Sequence, residues 1–285
     1  MKQVPPTPRK RASATKNAKR RGEAPRSRPV EKQSAAARKQ NDTDRVHDRV
    51  RQRLLWQQAI NDPEREPRNR SPRLAELRRW QMQRLAASFA PLLEESNTRA
   101  AAEFFLSDLY GDRDFSGRDR DVARVLPLML RLLPEPLIAT VADAIGLSVL
   151  SHAFDLRMAQ ALEDLLSGRK KITADSYGMA YRQVGLPQLR GVQIDLIARL
   201  AHGLDAAVRK PALGRLLRMS RLPAWAAGLG ELQSFLERGF AAFAALDQPA
   251  LFVDRVVKQE REIAQRLFAD AAKPFGQPSK SGKPL

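Results

Sequence analysis

The 285-residue chain carries 50 Lys and Arg against 32 Asp and Glu, for a net charge of +18, and it contains no cysteine. That excludes a disulfide framework, a thiol nucleophile and thiolate metal sites, and it fits the reducing cytoplasm where the protein is expected to reside. The charge is uneven: the first 40 residues hold 13 Lys and Arg against Glu23 and Glu31 alone, so they contribute +11 of the total.

Residues 1–42 include Pro5, Pro6, Pro8, Pro25 and Pro29 and almost no large apolar side chain. Such a segment cannot bury enough surface to offset its ordering entropy and is expected to be a disordered basic tail. Its cations, Arg9, Lys10, Arg11, Lys19, Arg20 and Arg21, suit nucleic acid or another polyanion held by counterion release. No apolar run of signal-peptide type follows Lys2, and the prolines spoil the amphipathic helix of a transit peptide. Residues 43–61 set Val46, Val50, Leu54 and Trp56 against Arg45, Arg49, Arg51 and Arg53, which predicts a basic amphipathic helix. Residues 62–71, with Pro63 and Pro67, read as a linker.

The body, residues 72–270, is predicted to be one all-α domain of about nine helices, bundle-like or orthogonal, followed by a polar tail over 271–285. Ser71 and Pro72 give an N-cap and first-turn proline for a helix through Leu74, Leu77, Trp80, Leu85, Phe89 and Leu92, bent near Pro91. Thr98 caps a second, which Gly111 is placed to end, and Ser116 with Asp119 opens a third that Pro134 closes. A long apolar helix beyond Pro136 runs to Gly168 and reads as buried core rather than a membrane span, because charged residues continue it. Thr173 and Gly185 bracket a short helix. Leu189, Val192, Leu196, Leu200 and Leu204 mark the inward face of the next, Pro211 starts another, and Pro223 restarts the chain with Trp225, Leu229, Leu232, Leu236, Phe240 and Phe243 on one face. Phe252, Val256, Ile263 and Leu267 line the last.

Chemistry-bearing residues are sparse. Asp112, Asp114 and Ser116, with Gly117, follow the opening of a calcium loop, but place twelve is Ala123 and Arg113, Arg118 and Arg120 repel a cation. They are weak metal candidates, and no cofactor is expected. Arg215, Arg218 and Arg221 recur every three residues and form a candidate polyanion ridge, with Leu213, Leu216 and Leu217 expected inward. His152 and Asp155, and His202 and Asp205, stand three apart and can meet on a helix; a satisfied or surface histidine explains each. Tyr177 and Tyr181 share a face. Gly228, Gly230 and Gly239 give a small-residue surface that either brings helices close or leaves an apolar groove for a lipid.

The string Phe-Phe-Leu-Ser-Asp-Leu-Tyr-Gly-Asp-Arg-Asp-Phe-Ser-Gly-Arg-Asp over 104–119, with segments 190–196, 218–221 and 228–243, resembles a family of bacterial proteins in which such a string introduces a helical domain of this size. The resemblance spans roughly 74–268 and implies a single all-helical domain and a bacterial source, with no activity or site residue attached. Three functions remain open from the sequence. The first is a non-enzymatic interaction or scaffold protein whose tail contacts a polyanion and whose body serves a protein partner. The second is a small-ligand or lipid-binding domain with a pocket between the Phe104 and Trp225 helices. The third is an enzyme using carboxylates of the 112–121 loop.

Overall fold

The computed structural model describes the backbone of residues 29–109, 116–166 and 170–276, and side chains for 40–108, 121–166 and 170–276. Ten α-helices are described: α1 (Pro29–Asn61), α2 (Pro72–Glu94), α3 (Ser96–Phe104), α4 (Ser116–Leu132), α5 (Glu135–Leu165), α6 (Ala174–Val184), α7 (Pro187–Val208), α8 (Pro211–Ala226), α9 (Gly230–Ala244) and α10 (Pro249–Phe268). A 3-10 turn (Pro67–Arg70) and a π-helical turn (Phe105–Leu109) complete the set, and no strand occurs among the described residues. The chain divides into two units, residues 1–41 and 42–285. Of the first, the opening of α1 is described; the second holds the rest of α1 and every later element. The cations from Arg9 to Arg21, together with Asp112 and Asp114, lie outside the described residues, and Ser116 is described only as the first residue of α4.

Local chemistry sets most boundaries. Ser71 Oγ accepts from the Arg73 amide at 3.2 Å, capping α2. Thr173 and Ser176 close a reciprocal capping box at 3.2 and 2.9 Å, and Gly185, at φ 65°, ends α6 in a conformation that disfavours any side chain. Proline occupies the first turn of α7, α8 and α10, where its missing N–H has no helical partner to lose.

Three elements differ from the sequence reading. α1 begins at Pro29, upstream of the expected start at residue 43, because Glu31–Gln33 and Ala35–Gln40 are strong helix formers. Segment 62–71, expected as a linker, folds into the 3-10 turn and is tied down where Asn69 Nδ2 donates to the Ile60 carbonyl at 2.9 Å. Pro223 does not restart the chain; it sits inside α8, and the break falls at Gly228, with φ 72°. Trp225 therefore ends α8, 60% exposed, instead of opening the next helix.

α5 is the hub, packed along α7 and against α2 and α6, with α10 against α7 and α6 and α9 against α3, α4 and α8. α5 is also the one described helix long and apolar enough to cross a membrane by length and composition. A small residue lets the hub close: a Cβ on Gly203 would collide with the Thr140 side chain, which packs directly onto the α7 backbone there. Asp143 accepts from Arg53 Nη1 at 2.8 Å and from Arg199 Nε at 3.1 Å, pinning α1 and α7 to the same point of α5.

The buried side chains gather in three clusters, the first two bridged only by half-buried Ala264. One cluster gathers Phe89, Phe105, Ile197, Phe243 and Phe252; a second Leu77, Leu162, Tyr177, Tyr181 and Ile263; a third Val50, Leu126, Ile138 and Ile145. A domain of this size ordinarily builds one contiguous core. The space between the three is the candidate site.

Candidate functional site

Between the clusters runs a partly enclosed cavity of about 1110 Å³. α5 lines it with Val141, Ala144, Ile145, Ser148, Ser151, His152 and Asp155, a stripe at helical spacing that extends ~21 Å at 1.5 Å per residue. α7 faces it with Arg190, Gln193, Ile194, Ile197 and Leu200. The two helices are antiparallel, and Gln193 Nε2 donates to Ser151 Oγ at 2.8 Å, so their polar ends coincide. The result is a graded channel. Its polar half is made by α5 from Ser148 onward, the start of α7, α2, α6 and the 3-10 turn; its apolar half by Val125, Met129, Leu217, Leu232 and Phe235 of α4, α8 and α9.

In the polar half Arg78 joins two residues of the α5 stripe. Its Nη2 lies 2.7 Å from His152 Nδ1 and its Nε 3.8 Å from an Asp155 carboxylate oxygen. A guanidinium only donates, so Nδ1 accepts and His152 is the Nε2–H tautomer, which donates to Asn69 Oδ1 at 2.8 Å. Burial, with the Arg78 charge second, pushes the His152 pKa down to about 4. The ring is therefore neutral near pH 7 and both nitrogens are engaged. Burial pushes the Asp155 carboxyl up, against the opposing pull of Arg78 and of Gln81, whose Nε2 donates to it at 3.2 Å. Burial likewise pushes the Tyr181 phenol up to about 12. Arg84 Nη1 donates to Glu260 at 2.9 Å, and Gln57 Nε2 reaches Ser148 Oγ at 3.4 Å while its buried Oε1 meets no partner.

Arg190 differs from the other two arginines. It is 8% exposed, its guanidinium carbon sits 3.6 Å over the Phe154 ring centroid and 4.6 Å from that of Tyr181, and Nη1 donates to Gln193 at 3.1 Å. Nε and Nη2 are buried and meet no hydrogen-bond partner.

Several sequence candidates land elsewhere. Arg221 is clasped by Glu237 through Nε at 2.9 Å and Nη2 at 2.8 Å, whereas Arg215 and Arg218 are exposed on α8. Leu216, expected inward, is half exposed. His202 is exposed and Asp205 is paired with Arg209 at 2.9 Å. Tyr177 stacks on Trp80 at 4.4 Å, and both tyrosines line the cavity. At Gly239 the Phe104 helix and α9 close up, since a Cβ there would stand 2.8 Å from the Phe104 ring, whereas Leu232, Phe235 and Leu236 of α9 line the cavity. Among the described residues no three His, Asp or Glu converge as metal ligands. The sequence reading missed Arg190, because Leu189 and Val192 suggested a different inward face; they are 43% and 44% exposed. The signal lay in Arg190, Gln193, Ile194 and Ile197, a stripe at i, i+3, i+4 and i+7.

A family model described as a domain of unknown function (DUF8198) matches residues 61–274. Every cavity-lining residue except Gln57 falls inside that span. No curated protein and no solved structure matches the chain.

Proposed function

Because the chain belongs to the family built on that domain of unknown function, we propose a role carried by the domain's own cavity: it binds a long-chain, largely apolar small molecule between its helices. The observation that carries this reading is the cavity's size together with its apolar half. Sites for drug-sized ligands occupy ~300–1,000 Å³, and this one reaches past that range. Closed and empty, such a volume would cost on the order of 27 kcal/mol at ~24 cal/mol per Å³, more than the ~5–15 kcal/mol by which a domain is stable. Water satisfies the polar half but gains little among Val125, Met129, Leu217, Leu232 and Phe235. An extended chain advances ~1.2 Å per bond, as the ~3.6 Å span of three backbone bonds shows, so ~21 Å accommodates some ~17 bonds. Each methylene taken from water contributes about 0.8 kcal/mol.

Full-length protein purified from its host, analysed by native mass spectrometry and solvent extraction, is expected to carry a stoichiometric apolar compound or to take up an added long-chain fluorophore. A bare chain mass together with no uptake overturns the reading.

The second reading is polyanion contact. It is supported by the +11 charge of the first 40 residues and by exposed Arg215 and Arg218. Its signature is an affinity for duplex DNA or RNA that falls steeply with salt. Affinity that is negligible at low salt, or indifferent to salt, rejects it.

A further inference from the structure

Resting on the reading of the cavity as a long-chain ligand site, we propose that Arg190 anchors the ligand's head group and that this head is a carboxylate. The ligand is then a long-chain carboxylic acid, bound as its anion with the chain extended into the α4, α8 and α9 half.

The unpartnered side of Arg190 is specific. Nη1 is used by Gln193, and the Phe154 and Tyr181 rings fix the guanidinium's orientation. What remains is the edge formed by Nε–H and Nη2–H, two parallel donors lying in the guanidinium plane, both buried and both unmet. That edge matches the two oxygens of a carboxylate. The same chain shows the match twice: Arg221 presents Nε and Nη2 to Glu237 at 2.9 and 2.8 Å, and Arg68 presents the same pair to Glu66 at 2.7 Å each. Arg190 has the fork without the carboxylate.

Among the described residues no protein group fills that role. Asp155 feels the Arg190 charge at longer range, but its hydrogen bond and ion pair go to Gln81 and Arg78, and Glu260 is engaged by Arg84, so no carboxylate hydrogen-bonds to Arg190. The charged residues lining the cavity are three arginines and these two carboxylates, with His152 neutral, so one positive charge is left over. An unpaired buried cation costs several kcal/mol, and stacking on aromatic rings returns only about 2 of them. A single planar anion balances both the charge and the two donors; a dianionic phosphate would bring a second charge with no cation to meet it. Ligand length follows from placement, since Arg190 stands at the polar end of the α7 stripe whose far end is Leu200.

The test compares palmitic acid, methyl palmitate and hexadecanol as competitors of a long-chain fluorophore bound to the full-length protein. Palmitate is expected to bind at least tenfold tighter than the two neutral analogues. In Arg190→Met that preference disappears, the three compounds competing alike, and the variant's thermal midpoint stays level or rises because a buried charge without a hydrogen-bonded counter-ion is gone. Equal affinity of wild-type protein for all three compounds overturns the anchor while leaving the cavity reading intact. A preference that survives in Arg190→Met overturns it as well. If none of the three displaces the fluorophore, or the fluorophore itself does not bind, the cavity reading fails and the anchor fails with it. The wild-type comparison decides the question even where the variant does not fold.

Discussion

At the Arg78 end of the cavity, helices distant in sequence are joined by short polar contacts: α2 to α5 through Arg78 and His152, the 3-10 turn to α5 through Asn69, α5 to α7 through Ser151 and Gln193. At the other end α8 is held to α9 by a single comb, Gln233 and Glu237 reaching Leu217, Ser220 and Arg221, and its one buried residue is Gly214. In one half directional bonds cross between four separate elements; in the other they are confined to the α8–α9 pair, and the wall itself is apolar side chains. Directional bonds fix where a head group sits, whereas an apolar wall sets only how much chain is covered. A binding site that must be exact about one end of its ligand and tolerant about the rest needs that division.

Three experiments press on the contrast, from the largest effect downward. The polar half should be acid-sensitive through His152. Its folded pKa of about 4 lies below its ordinary 6.5, so the unfolded chain takes up a proton first. The associated stability is complete above pH 6.5 and is lost as pH falls towards 4, with a size on the order of 3 kcal/mol. Asp155 works the other way, since its raised folded pKa lets the native state protonate first. Urea unfolding across that pH range should show the loss in wild-type protein, and His152→Gln, which keeps one acceptor and one donor, should remove it; an unchanged profile in the variant would mean another group is responsible.

The apolar half should reward filling. Ala144 faces the cavity from α5, and Ala144→Phe is expected to raise stability by about 1 kcal/mol while weakening uptake of a long-chain fluorophore at least tenfold. A loss of more than 1 kcal/mol would mean the space is already packed. The smallest effect belongs to the outer face of α8, where Met219 is 77% and Leu222 80% exposed. Leu222→Ser should change stability by less than ~0.5 kcal/mol, as measured by thermal melting. A larger loss would show that α8 is buried against something in solution.

Much of the fold was legible in the sequence. Ser71, Thr173, Gly185 and Pro211 mark boundaries by local stereochemistry, which acts whatever the rest of the chain does. Pro223 misled because the restraint is one-sided: it removes one hydrogen bond, and a partly exposed helix tolerates that, so Gly228 decides the turn. The site was legible only in fragments. His152, Asp155, Tyr177 and Tyr181 stood out individually, but Arg78, Asn69 and Gln57 lie 74 to 91 residues from their α5 partners, a separation no local pattern encodes. Arg190 was hidden for another reason. Periodicity presumes that arginine faces water, and here it faces the cavity.

The thin seating of α8 has a kinetic consequence. Lifting α8 would break its hydrogen-bond comb to α9 but uncover one fully buried residue, against eleven on α5, so of the two it is the flap with less to lose on opening. A guest held by its head at Arg190 would thread out through that flap with its tail leading. The slow step of escape is then the rehydration of the released anion and of the guanidinium left behind, so residence time follows head-group chemistry far more than tail length.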